Sequence, residues 1–143
     1  MADVPDTIER ELILPVPPAR VWAALTQPDQ LSAWFGTRAN VDLRPGGAVQ
    51  FIWDDTSSGT SRNNYGVIEV IEPLQRFAFR WQSGAEGSPM TLVDFTLEEL
   101  PTGTRLRVVE SGFAVLAREH RDGNVRGWQR ELGELETYLL EAA

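Results

Sequence analysis

The chain has 143 residues, a formal net charge of −8 at pH 7, no cysteine and no lysine. Without cysteine there are no disulfides, thiolate nucleophiles or zinc–thiolate sites, and without lysine there is no Schiff-base chemistry. The net negative charge and the lack of a basic stripe argue against nucleic acid and anionic membranes as partners, because both are bound through clustered positive side chains.

The length and hydropathy indicate one domain spanning residues 1–143. The first 16 residues include acidic side chains and no apolar core of the kind that a signal peptide needs, and no apolar run approaches the length of a membrane span. We therefore expect a soluble cytoplasmic domain.

The first third of the chain predicts a strand followed by two helices. Thr7 to Leu14 alternates between apolar and polar residues, which is typical of a strand. Prolines then stop the strand, and helical spacing predicts helices over Pro17 to Thr26 and Asp29 to Phe35.

After Gly36 the period of the apolar residues changes to two, and short connections predict an antiparallel meander of six strands. In the third of these strands the alternation places Tyr65, Val67, Glu69 and Ile71 on the inner face. In the last strand Glu110 follows the inward apolar positions at the same period. The predicted strands are Ala39 to Leu43, Ala48 to Asp54, Tyr65 to Glu72, Gln75 to Trp81, Met90 to Glu98 and Thr104 to Ser111.

The segment from Asn124 to Ala143 predicts a long amphipathic helix with Asn124 as its N-cap. Gly127 and Gly133 each cost such a helix roughly 1 kcal/mol relative to alanine, which suggests a close approach by the sheet or a ligand. A helix about 30 Å long needs a broad partner, so the sheet must lie against it. Its apolar stripe is formed by Val125, Trp128, Leu132, Leu135 and Leu139.

The resulting element order, β-α-α-β-β-β-β-β-β-α, predicts an α+β fold in which a curved antiparallel sheet wraps around a long C-terminal helix. Five segments in this order resemble the SRPBCC (START-like, helix-grip) superfamily, and within it the family of the activator of heat-shock protein 90 ATPase, in a single-domain form. The segments are IERELILPVPPARVWAALTQPDQLSAWF at 8–35, PGG at 45–47, GVIEVIEPLQRFAFRW at 66–81, GTRLRVVESGF at 103–113 and GWQRELGELETYL at 127–139.

The resemblance implies a cavity between the sheet and the long helix that binds a small hydrophobic or aromatic molecule. Similar families include lipid binders, polyketide cyclases and resistance proteins, and the named family implies a role in the stress response. The aromatic side chains expected on the inner faces are then candidates for the cavity wall, or they simply fill the core. The candidate ligand-binding residues are Trp34, Phe35, Trp53, Tyr65, Trp81, Phe95, Glu110, Trp128 and Leu132.

Glu110 is also the one candidate for a catalytic residue. An inward carboxylate beside aromatic rings could orient a polar ligand group or act as a general acid or base; the enzyme alternative is a cyclase or hydrolase that uses Glu110 with Tyr65 or His120. The alternative for Glu110 and for Glu69 is an ion pair with arginine or a position close to solvent. Arginines on the outer sheet face are expected to pair with acidic neighbours across the strands.

No metal site or cofactor is predicted. His120 is the single histidine, no second histidine or cysteine can join it, and phosphate loops and Gly-x-Ser-x-Gly are absent from the sequence. Two partner hypotheses remain beside the small ligand: contact of the acidic surface with a heat-shock protein 90, and a homodimer through the sheet.

Overall fold

A computed structural model describes residues 6–35, 38–55, 60–82, 89–115 and 118–141. Within these ranges the chain forms seven strands, three α-helices and one 3₁₀ turn. In chain order these are β1 (Thr7–Leu14), α1 (Pro18–Thr26), α2 (Pro28–Phe35), β2 (Arg38–Val41), β3 (Ala48–Asp55), β4 (Thr60–Glu72), β5 (Arg76–Trp81), β6 (Thr91–Leu100), β7 (Gly103–Ser111), the 3₁₀ turn (Phe113–Val115) and α3 (Arg118–Glu141).

The seven strands form one antiparallel sheet in the order β1-β7-β6-β5-β4-β3-β2. Strands β2 to β7 follow one another as a meander, and β1 joins the far edge beside β7. Thr7 lies opposite Ser111, and Leu14 lies opposite Thr104. The predicted α+β fold and element order are confirmed.

Prolines determine where the first two helices begin and end. Pro18 occupies the first turn of α1, where a missing amide hydrogen costs little. Gln27 is extended, as expected for the residue before a proline, and Pro28 opens α2. The short connection places both helices against α3 and the inner face of the sheet.

The apolar stripe of α3 is buried as its spacing predicted. Trp128, Leu132, Leu135 and Leu139 are all in the core, and Val125 packs against it in a partly buried position. Their core partners on the inner sheet face include Phe77, Phe79, Val93, Phe95, Leu106 and Val108.

The start of α3 differs from the prediction, because the helix begins at Arg118 and not at Asn124. The extra turns carry no apolar stripe, and contacts with the start of the chain hold this region. The backbone carbonyl of Asp6 accepts hydrogen bonds from the amides of Gly112 and Phe113, and Arg121 donates to the carbonyl of Thr7 over 2.9 Å. Asn124 is therefore an interior helical residue, and its side-chain amide donates to Glu110.

The predicted register of β4 is wrong at its first half. A β-bulge between Ile68 and Val70 inserts one residue into β4. The residues before the bulge therefore point to the sheet face opposite to the one predicted. Tyr65 is 52% exposed and Val67 is exposed as well, while Asn64 and Ile68 point inward. Tyr65 consequently lies on the outer face, where Gln50 donates to its hydroxyl over 3.0 Å.

The outer face of the sheet carries the ion pairs that were expected of its arginines. Glu69 belongs to this set, since it pairs with Arg80 over 2.5 Å and does not face the core. The other pairs across strands are Arg76 with Asp94, Arg105 with Glu11 and Glu98, and Arg107 with Glu9.

The described part of the sheet does not approach the glycines of α3 closely, contrary to one of the two expectations for them. A Cβ atom built at Gly127 or Gly133 meets no atom of the described chain within 4 Å. Gly66 in β4 is the opposite case. A Cβ atom there would lie 3.0 Å from the Cβ of Trp81 and closer still to the carbonyl oxygen of Arg80.

These contacts predict opposite effects of the same substitution. We expect Gly133→Ala to raise the free energy of unfolding by up to about 1 kcal/mol, because alanine has the higher helix propensity. Gly66→Ala should lower it by about 1–3 kcal/mol, because β4 and β5 must move apart. Urea denaturation of both variants measures the difference, and a destabilised Gly133→Ala would show that this helix face is in contact with another group.

Candidate functional site

Glu110 is the centre of a buried polar cluster at one end of the sheet, with a side chain that is 0% exposed. The end of β5, the start of β6 and the middle of α3 surround it. Its Oε1 accepts a hydrogen bond from Trp128 Nε1 over 2.7 Å, and its Oε2 accepts from Trp81 Nε1 over 2.9 Å and from Thr91 Oγ1 over 2.5 Å. The amide of Asn124 donates to both oxygens, over 3.1 and 3.2 Å.

All four partners of this carboxyl group are neutral donors. An indole N–H can only donate, and a carboxylate can only accept, so the two tryptophans and Glu110 match in hydrogen-bonding capacity. The ion pairs formed among the described residues do not include Glu110. The inward orientation predicted for Glu110 is therefore confirmed, and its alternative as a partner of arginine is not what the structure shows.

Aromatic rings enclose the carboxyl cluster. The Trp128 ring lies 5.8 Å from Phe95 and 6.5 Å from both Trp81 and Phe35, measured between centroids. Phe35 also lies 4.8 Å from Phe51. Edge-to-face and tilted contacts of this kind contribute beyond the area that they bury. One polar group is thus held inside a continuous aromatic shell that joins α2, the sheet and α3.

The structure brings together most of the candidate ligand-binding residues that were predicted from the sequence. Trp81, Phe95, Glu110 and Trp128 share the site with Phe35, and Leu132 is buried one turn along α3 from Trp128. Trp34 is buried too, but its indole N–H donates to the carbonyl of Ala24 over 2.8 Å, so it links the two short helices.

Three of the candidate residues predicted from the sequence are not part of the Glu110 site in the described structure. Tyr65 is on the outer face, as described above, and it cannot serve Glu110 as a proton-transfer partner. The side chains of Trp53 and His120 lie outside the described part of the structure.

Sequence reasoning missed two residues of the site, Asn64 and Asn124. Asn124 was assigned to a helix end, whereas α3 begins at Arg118, and Arg121 in its first turn bonds the distant carbonyl of Thr7. Asn64 precedes the β4 bulge, so its inward orientation becomes visible only when the pairing with β3 is known. It lies opposite Phe51 and is buried.

Other charged groups of the described residues do not form a second site. Three or more potential metal ligands are not grouped together anywhere in the described ranges. Glu131 on α3 is buried, and desolvation raises the pKa of its carboxyl group despite the neighbouring Arg130 at 3.2 Å. None of the described helices is long and apolar enough to cross a membrane.

A concavity of about 400 Å³ lies at the opposite end of the sheet. Residues 15–18, which are rich in proline, and residues 99–103 line it. No residue nominated from the sequence belongs to this concavity, and it is separate from the Glu110 cluster.

Comparison with protein families gives one match, to "Activator of Hsp90 ATPase homolog 1-like protein", over residues 15–140. No curated protein matches the chain. The matched range begins after β1 and includes every residue of the Glu110 cluster.

Several solved structures share the fold. Protein MLL2253 from Mesorhizobium loti is 26% identical, with a TM-score of 0.81 over 96% of this chain and 98% of that one. Protein CV1439 from Chromobacterium violaceum is 27% identical, with a TM-score of 0.79 over 94% and 97% of the two chains. DynU16, a protein in the dynemicin biosynthetic locus, is 25% identical, with a TM-score of 0.79 over 94% of this chain and 47% of that one.

Proposed function

Because this chain belongs to the family of activator of Hsp90 ATPase homolog 1-like proteins, whose helix-grip fold is suited to ligand binding, we propose that it binds a small hydrophobic or aromatic molecule. The ligand lies between the inner face of the sheet and α3, beside the Glu110 cluster. The similarity to DynU16 is compatible with a ligand of this class.

The observation that carries the proposal is the buried Glu110 carboxyl group inside an aromatic shell. Burial of a polar carboxyl group carries a desolvation cost, and well-packed apolar residues often stabilise a core as well or better. Small-molecule sites, in contrast, combine a mostly apolar and aromatic lining with a few polar groups that orient the ligand. The cluster of Glu110, Trp81, Trp128 and Asn124 has this composition.

The packing also restricts how a ligand enters the shell. The rings of Phe35, Phe51, Trp81 and Trp128 contact one another at centroid distances of 4.8–6.5 Å. A flat ligand needs the space of one ring, so binding has to move at least one of them. Phe35 is the last residue of α2, and movement of a helix end disturbs fewer hydrogen bonds than movement of a strand.

The alternative of acid–base catalysis has less support. Tyr65, one of the two proton-transfer partners considered for Glu110, is on the other face of the sheet, and the side chain of the second, His120, lies outside the described residues. Contact with a chaperone is the hypothesis that we would adopt if no small ligand is found.

Native mass spectrometry of the protein purified from its own cells tests the proposal, together with thermal shifts across a panel of apolar and aromatic compounds. We expect a bound mass, or a ligand-dependent rise in melting temperature, because a ligand that binds only the folded state stabilises it.

Two variants locate the binding. Phe95→Leu reduces the ring contact with Trp128 and should weaken the shift, while Tyr65→Leu removes an aromatic ring from the outer face and should leave it unchanged. A protein that carries no bound mass and shows no shift with any compound would overturn the proposal. Equal loss of the shift in both variants would contradict the location.

A further inference from the structure

Asn64 is a buried polar group of the inner sheet face, only 4% exposed. Its side-chain oxygen Oδ1 is inaccessible to solvent and has no hydrogen-bond partner in the described part of the chain. A buried acceptor without a donor costs free energy, and native structures satisfy most such groups. The position therefore calls for a donor that the described residues do not provide.

The sheet register places this acceptor beside the aromatic shell. Asn64 lies directly opposite Phe51 on β3, and directly opposite residues of an antiparallel pair project from the same face. The Phe51 ring is 5.2 Å from Trp81 and 4.8 Å from Phe35. In the order of the strands, β4 with Asn64 and β7 with Glu110 lie on opposite sides of β5, and Trp81 of β5 donates to Glu110.

The strand next to Trp81 packs closely against it at the next inward position of β4. Gly66, the inward residue that follows Asn64 in β4, lies opposite Trp81 and has no side chain. The inner face of β4 therefore presents one unsatisfied oxygen two residues from the point where β4 and β5 pack closely at Trp81.

From this arrangement we infer that the ligand of the proposed site carries a hydroxyl or N–H donor on its apolar or aromatic body, and that this donor bonds Asn64 Oδ1. The inference rests on the proposed function and adds the chemical class of the ligand. Asn64 is then a specificity-determining residue, since a molecule of the same shape without a donor would leave the buried oxygen unpaired.

Three probes of one ring system test this assignment by calorimetric titration. 2-Naphthol carries a hydroxyl donor, 2-methoxynaphthalene offers only an acceptor, and naphthalene offers neither. We expect 2-naphthol to bind the unmodified protein roughly tenfold more tightly than the other two, which corresponds to one buried hydrogen bond. In Asn64→Leu, which removes the acceptor at similar volume, the three affinities should become equal.

Asn64→Asp serves as a second variant that retains an acceptor oxygen, and it should retain the preference for 2-naphthol. Binding of naphthalene without any preference for 2-naphthol would overturn the inference while leaving the proposed function intact. That result would indicate that a buried water donates to Asn64 Oδ1. A preference that persists in Asn64→Leu, or tighter binding of 2-methoxynaphthalene, would also overturn it. If none of the three probes binds, both the inference and the proposed site fail.

Discussion

Replacement of Glu110 by alanine is expected to lower the free energy of unfolding by about 3–5 kcal/mol. The substitution leaves a void in the core and removes the acceptor for the indole N–H groups of Trp81 and Trp128, both of which are buried. Each buried donor without a partner costs about 1–3 kcal/mol. Urea denaturation followed by far-ultraviolet circular dichroism measures the loss.

Glu110→Gln separates the hydrogen bonding from the void, because glutamine has nearly the same shape. Trp128 donates to Oε1 and Trp81 donates to Oε2. Since a glutamine amide has one oxygen and one NH₂ group, one indole must face a second donor in either orientation. We expect a loss of about 1–3 kcal/mol, smaller than for alanine.

Glu69→Ala is the matched control, because Glu69 is the other acidic residue for which an inward orientation was predicted. Its pair with Arg80 is partly exposed on the outer face, so the change should be at most about 1 kcal/mol. A Glu110→Gln variant as stable as the unmodified protein would contradict the assignment of Glu110 as an acceptor for both indoles.

Trp128→Ala is the second substitution with a large expected effect, about 3–5 kcal/mol. Trp128 is the residue of α3 that contacts rings from three directions, Phe35 on α2 and Trp81 and Phe95 on the sheet. It also donates to Glu110. Its loss therefore removes packing and a hydrogen bond at the point where the helix meets the sheet.

Trp128→Phe distinguishes these two contributions. The phenyl ring keeps most of the packing but has no N–H group, so we expect a loss of about 1–3 kcal/mol. Leu140→Ala is a control on the exposed side of the same helix, with an effect within about 0.5 kcal/mol. Equal losses for Trp128→Phe and Trp128→Ala would contradict the role of the ring contacts.

Much of the fold could be predicted from the sequence because its signals are local. The strand from Thr7 to Leu14 was predicted with its observed bounds, and the prolines before α1 and α2 placed those helices within one residue. The stripe of α3 was predicted correctly from Trp128 to Leu139, because helical spacing depends only on neighbouring residues.

The errors occurred where long-range contacts override a local pattern. The β4 bulge inserts a residue that no turn signal marks, so Tyr65 points outward, contrary to the prediction, and Asn64 points inward. The start of α3 at Arg118 is not marked by an apolar stripe, and Arg121 in its first turn donates to the carbonyl of Thr7, more than 100 residues away in the chain. Both errors affected the site, because Asn64 and Asn124 were missed and Tyr65 was included.

The sequence by itself determined the class of the fold, the apolar face of the long helix and the inward carboxyl group of Glu110, since each follows from the period of a single element. Only the tertiary structure decided what surrounds that carboxyl group. Its donors come from β5, β6 and α3, and the unsatisfied oxygen of Asn64 depends on the register between β3 and β4. The period of a strand or helix predicts the face on which a side chain lies, but its hydrogen-bond partners depend on how separate elements pack together.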